Sequence, residues 1–209
     1  MIMQKKITVP DGWNDVNIAT FQELNNVEDN QNKAFEIISI LIDEDPEDVK
    51  KWDVASFNRV NNALGWVQTL PTKEDFKKVI EIDGIKYGFV EKLSSLSLGQ
   101  WMDIEHYLQD SIGNLHKLMA MFYRPIQEDG SIEPYDSVSG VDRAELFKEK
   151  LSINNCYGAL LFFSSIGKGC IPNLEVYFLK ETLKMMKQKR KEKLRAKLKS
   201  WLGLQKTKN

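Results

Sequence analysis

With 209 residues, 42% of them apolar and 28% charged, the chain has the makeup of a globular protein with one sizeable core or two small ones. No run approaches the roughly 18 uncharged apolar residues that cross a bilayer, and Met1-Ile-Met-Gln-Lys-Lys-Ile7 lacks the apolar core of a secretion signal. The net charge of −1 conceals an imbalance: from Lys180 onward there are 12 basic and 2 acidic residues, against 17 and 28 before it, which predicts an acidic body and a basic arm with separate partners.

Lys6-Ile-Thr-Val9 reads as a short strand stopped by Pro10-Asp11-Gly12. Asn17 is an N-cap, its side-chain oxygen suited to accept from the free amides of a first helical turn. Helices over 18–27 and 31–42 follow across a polar break, and Ile37, Ile38, Leu41 and Ile42 stripe the second. Asp45-Pro46 opens a further turn. Asp53 caps a helix through Leu64, with Val54, Phe57, Val60 and Leu64 at helical spacing. Residues 68–75 form a polar link.

Lys78-Val-Ile-Glu-Ile82 and Ile85-Lys-Tyr-Gly-Phe-Val90 flank Asp83-Gly84, a hairpin signal because both turn residues need positive φ. Two strands alone are marginal, so the hairpin is expected to pack on helices or to pair with residues 6–9. Helices over 98–108 and 111–122 come next, the first with Ser97 and Gln100 in capping-box form, and Tyr123-Arg124-Pro125 ends the second. Residues 126–141 read as a loop, 142–149 as a helix, and Ile153, Cys156, Ala159, Leu160 and Phe163 as a fully buried helix. Asn173 caps a long last helix, docked by Leu174, Phe178, Leu179, Leu183 and Met186. Cys156 and Cys170 sit among apolar residues and read as buried free thiols of a reducing compartment.

Residues 17–42 match 97–122 at an offset of 80, and 52–67 match the helix at 153–163 at an offset of 99. The expected fold is therefore mainly α: a duplicated three-helix repeat around one core, with a small β-hairpin between copies and a long basic C-terminal helix. The expected divisions are 1–70 for the first repeat with its N-terminal strand, 71–96 for linker and hairpin, 97–172 for the second repeat with an inserted loop at 126–141, and 173–209 for the last helix and basic tail.

The chemistry-bearing residues point away from catalysis. His106 and His116 are separated by a predicted helix break, and only Asp103 and His106 share a face as a ligand pair would. Ser164-Ser-Ile-Gly-Lys-Gly169 departs from a phosphate loop at both Phe162 and Gly169. Asp43-Glu-Asp-Pro-Glu-Asp48 has Pro46 where a calcium loop needs glycine. No catalytic set, metal or cofactor is expected.

The basic arm carries Lys187, Lys189, Arg190, Lys191, Lys193, Arg195, Lys197, Lys199 and Trp201, a density that suits phosphates. Leu194, Leu198, Trp201 and Leu202 fall at i, i+4, i+7 and i+8, a stripe that suits an acidic protein or a membrane surface as well as a solvated helical tail.

Ile7-Thr-Val-Pro10 leading to Ile18-Ala-Thr-Phe-Gln-Glu-Leu24, Ile82-Asp-Gly-Ile-Lys-Tyr87, Leu98-Gly-Gln-Trp-Met-Asp-Ile104 and Leu118-Met-Ala-Met-Phe-Tyr-Arg-Pro125 carry a likeness over residues 5–166. In these segments the chain resembles small proteins of the structural-gene region of tailed bacteriophages, tail-assembly-chaperone-like or virion-associated. The resemblance implies a non-enzymatic morphogenesis protein that binds portal, tail or capsid components in the host cytoplasm, with the virion as a second location. Trp13, Trp66, Tyr123 and Tyr135 are the expected aromatic anchors, with Arg124 beside them. The alternative is a nucleic-acid-binding accessory protein acting through residues 187–209.

Overall fold

A computed structural model of the chain describes residues 7–28, 30–69, 71, 76–91, 96–136 and 139–166. Within these, the protein is mainly helical, with a small antiparallel sheet. The expected C-terminal helix and the basic arm lie outside the described residues.

Helix starts follow the caps. Asn17 Oδ1 accepts from Thr20 N at 2.8 Å and opens α1 (Ile18–Asn26). Helix α2 (Lys33–Ile42) ends at Asp43, whose φ of 54° places it in the left-handed region. Asp45 caps the short α3 (Pro46–Val49), with Pro46 at its first position where no amide is missed. Asp53 Oδ1 accepts from Ser56 N at 2.8 Å and opens α4 (Val54–Ala63), which tightens into a 3-10 turn over Leu64–Gln68. Ser97 caps α5 (Leu98–Leu108) through Gln100 N. Helices α6 (Leu115–Phe122), α7 (Ser139–Lys150) and α8 (Ile153–Ile166) complete the set.

The hairpin forms as its turn demands. Asp83 (φ 53°) and Gly84 (φ 79°) join β1 (Val79–Ile82) to β2 (Ile85–Phe89), with Ile82 opposite Ile85. The third strand is not at residues 7–9. Residues 7–9 run without strand pairing, and Ile7 and Val9 only pack against the edge of the core. Instead β3 (Tyr123–Pro125) pairs with β2, Tyr87 opposite Pro125 and Phe89 opposite Tyr123. The three residues that end α6 therefore serve the sheet, and Pro125 is tolerated because β3 is an edge strand. The 126–141 segment also has structure: Ile126 bridges Ile132, and α7 begins three residues earlier than the helix expected at 142.

Helix α6 is buried on nearly every side and forms the centre of the molecule, packed most extensively on α7. A chain of rings surrounds its C-terminal end: Phe122 stacks on Phe163 at 4.2 Å, Phe89 meets Tyr123 at 5.1 Å, and Tyr87 meets Phe147 at 5.0 Å. The start of α1 is tied to the junction of α7 and α8. Ile153 N donates to Val16 O at 2.9 Å, and Asn17 Nδ2 donates to Glu149 O at 2.7 Å.

At the offset of 80, Asn17 and Ser97 are both caps, and Ile38 and Leu118, and Ile42 and Phe122, are all buried. On α1 and α5 Leu24 and Ile104 are both buried, but other pairs differ. Ile18 is fully buried but Leu98 is 76% exposed; Phe21 is fully buried but Trp101 is only half-buried, its indole N–H donating to Glu105. Helix α4 buries no side chain, whereas α8 buries Ile153, Cys156, Leu160 and Phe163.

Candidate functional site

Two of the four anticipated aromatic anchors, Trp13 and Tyr123, are inside the molecule, and so is Arg124. Trp13 is buried, with its indole N–H donating to Thr69 O at 2.9 Å and its ring edge-on to Phe21 and Trp66. Tyr123 is fully buried, its hydroxyl donating to Lys77 O at 2.5 Å and accepting from Asn155 Nδ2 at 3.3 Å. Burial pushes that phenol well above the ordinary tyrosine range. Arg124 is buried too, and its Nε has no partner among the described residues. These residues were expected to be exposed to a partner; the packing of β3 against β2 and of Trp13 against α1 takes Trp13, Tyr123 and Arg124 inward. Tyr135 is half-buried and its hydroxyl donates to the Asp103 carboxylate. Trp66 is also half-buried, its N–H on Pro10 O at 2.9 Å.

Arg124 and Tyr135 do share a neighbourhood, and its organiser is a residue the sequence did not single out. Arg143, on the inner face of α7, is only 6% exposed. Its Nε donates to Ala120 O on α6 at 3.0 Å, and one Nη donates to Glu133 at 3.4 Å. Burial lowers the pKa of both guanidiniums, and each suffers from the environment it shares: desolvation is the larger cause for Arg124, followed by the charge of Arg143. A cleft of about 270 Å3 opens beside Arg143, with Lys117, Tyr107, Tyr135 and Val141 in its walls. The only sequence cue was a basic residue on a predicted helix, which reads as solvated. Its burial depends on Glu133 arriving from the loop that precedes α7.

Among the described residues, His116 and Cys156 are packed into the core. His116, buried on α6, has its Nδ1 3.2 Å from Gln22 Nε2, and burial lowers its pKa. His106 is exposed. Cys156 is a fully buried free thiol, pushed far up by desolvation, which makes it a poor nucleophile. In the acidic loop, Asp45 caps α3 while Glu47 and Asp48 pair with Lys50 and Lys51. Among the described residues no three His, Cys, Asp or Glu side chains converge as metal ligands, and no helix is long and apolar enough to cross a membrane.

A second surface stands out on α5. Leu98 (76% exposed) and Met102 (60% exposed) are four residues apart and so share one helix face, with Trp101 beside them. The chain matches no protein-family model, and no curated protein or solved structure shows significant similarity to it.

Proposed function

We propose that this protein is a non-enzymatic bacteriophage morphogenesis factor, a tail-assembly-chaperone-like or virion-associated adaptor that binds portal, tail or capsid proteins. The observation that carries the reading is the apolar face of α5, where Leu98 and Met102 are both well exposed. Apolar side chains clustered on one helix face supply the desolvated centre of a protein interface. The phage setting comes from the resemblance of residues 5–166. Its action is placed in the host cytoplasm during assembly, and a virion-associated protein would also persist in the particle.

Leu98→Asp/Met102→Asp tests this directly, because both side chains stand in solvent and their replacement leaves the core untouched. In pull-downs from infected cells, the wild-type chain retains identified phage structural proteins and the double variant loses them. Retention by the variant equal to that by wild type refutes the α5 interface. Mass spectrometry of purified virions separates the adaptor that stays from the chaperone that leaves. A second reading, nucleic-acid binding, rests on the 12 basic residues against 2 acidic ones from Lys180 onward. It requires DNA retention that falls as salt rises and disappears when residues 187–209 are deleted.

A further inference from the structure

Arg143 is held in place by two bonds, yet a guanidinium has five N–H donors. The other three have no acceptor among the described residues. Its second Nη lies next to Gly140 on the wall of the 270 Å3 cleft: a Cβ built on Gly140 would stand 3.8 Å from that nitrogen. The absence of a side chain at Gly140 leaves the charged edge open to the cleft. Lys117 adds a second cation, with Nζ lying 5.4 Å from the centre of the Tyr107 ring. Tyr107, Tyr135, Met121 and the well-exposed Val141 supply apolar wall around these charges.

A buried cation with spare donors, facing a small cleft with aromatic walls, calls for an anion with an apolar body. The charge of that anion is limited by the carboxylates nearby. Glu133 already shares Arg143, and Glu145 lies on the same wall. Both carboxylates repel a dianion such as phosphate more strongly than a monoanion, and a carboxylate matches the planar geometry of one guanidinium edge.

We propose that this cleft binds a planar carboxylate carried on an aromatic or apolar body, with Arg143 taking the carboxylate and the Tyr107 and Tyr135 rings flanking the body. The carboxylate comes either from a free aromatic acid or from the C-terminus of a protein. The proposal does not depend on the phage reading or on the α5 face.

Benzoate, its neutral isostere benzamide, inorganic phosphate, the peptide Gly-Gly-Phe and its C-terminal amide are titrated into the 15N-labelled full chain. Benzoate is expected to give saturable shifts over residues 117–121 and 140–145 and at the Arg143 Nε–H, with benzamide and phosphate giving none. Tighter binding of the free-acid peptide than of benzoate, lost in the amide, assigns a protein terminus; binding of benzoate alone assigns a free acid. Arg143→Met removes the guanidinium but also its tie to α6, so Gly140→Leu is the second variant. That side chain covers the open Nη from the cleft side and suits a first helical turn. With the rest of the spectrum unchanged, it should weaken benzoate binding about ten-fold or more. The proposal is overturned if neither benzoate nor the peptide acid shifts the wild type, if Gly140→Leu binds as tightly as wild type, or if benzamide or phosphate binds as well as benzoate.

Discussion

Replacing Gly158 with alanine sets two opposing effects against each other at a single carbon. Gly158 lies within α8, where alanine is favoured over glycine by about 1 kcal/mol in a helix interior. Against this stands Phe76. A Cβ on residue 158 would lie 2.6 Å from Phe76 Cβ, 3.1 Å from its Cα and 3.2 Å from its N. Carbon atoms pack best at about 3.5–4.0 Å, so the Phe76 backbone must retreat by roughly 1 Å. That retreat is resisted from several sides. The Phe76 ring stacks on Phe162 at 4.9 Å and meets Phe89 edge-on at 5.2 Å, and Lys77 N donates to Asn155 Oδ1 at 3.2 Å. Overpacking of this kind costs about 1–3 kcal/mol, and each disturbed aromatic pair adds about 0.5–1.5 kcal/mol. The steric effect wins, with a net loss of about 2 kcal/mol and a drop in Tm of about 4–8 °C for a chain of this size. Thermal unfolding followed by circular dichroism reads this directly. A Gly158→Ala protein with an unchanged or raised Tm would refute the close approach of Phe76 to α8.

Two further predictions follow from buried polar groups. Tyr123→Phe leaves Lys77 O and Asn155 Nδ2 without the hydroxyl that joins them, which costs about 1–3 kcal/mol in urea unfolding; a neutral result would mean that neither bond matters. The pKa of His116 in the folded protein is lowered, first by desolvation and also by Lys148 and Lys117, with Glu145 opposing. The unfolded chain therefore binds the proton more readily, so the His116 contribution is complete above the ordinary histidine pKa and is lost as pH falls from there towards the lower folded value. Wild type should lose Tm between pH 7 and pH 5 more steeply than His116→Gln; parallel profiles would show that His116 does not titrate in this way.

The elements that were legible in the sequence are those set by local chemistry. Asn17, Asp53 and Ser97 are caps because a short polar side chain can reach the free amides of the next turn, and Asp83-Gly84 is a turn because its backbone requires positive φ. What was not legible depends on tertiary neighbours. Tyr123-Arg124-Pro125 looks like a helix stop and is also a strand, since only the arrival of β2 supplies its partners. The match between 17–42 and 97–122 compares size and polarity, yet Ile18 and Leu98 are nearly identical in both and lie at opposite extremes of burial. At the candidate site, Tyr135 was visible as an aromatic in a loop. Arg143 was not, because a charged side chain is normally solvated and only the fold brings Ala120 and Glu133 to it.

The tie between the first helix and the last pair has a consequence for how the protein comes into being. Val16 and Asn17 are secured by Ile153 and Glu149, groups 132 or more positions downstream. During synthesis the leading segment must wait, with the apolar side of Phe21 and Leu24 unsheltered, until the chain through Ile153 has left the ribosome. Closing so long a loop is slow and leaves sticky surface uncovered in the meantime. A nascent chain halted before Glu149 should therefore be the stage at which aggregation, or rescue by host folding factors, is most pronounced.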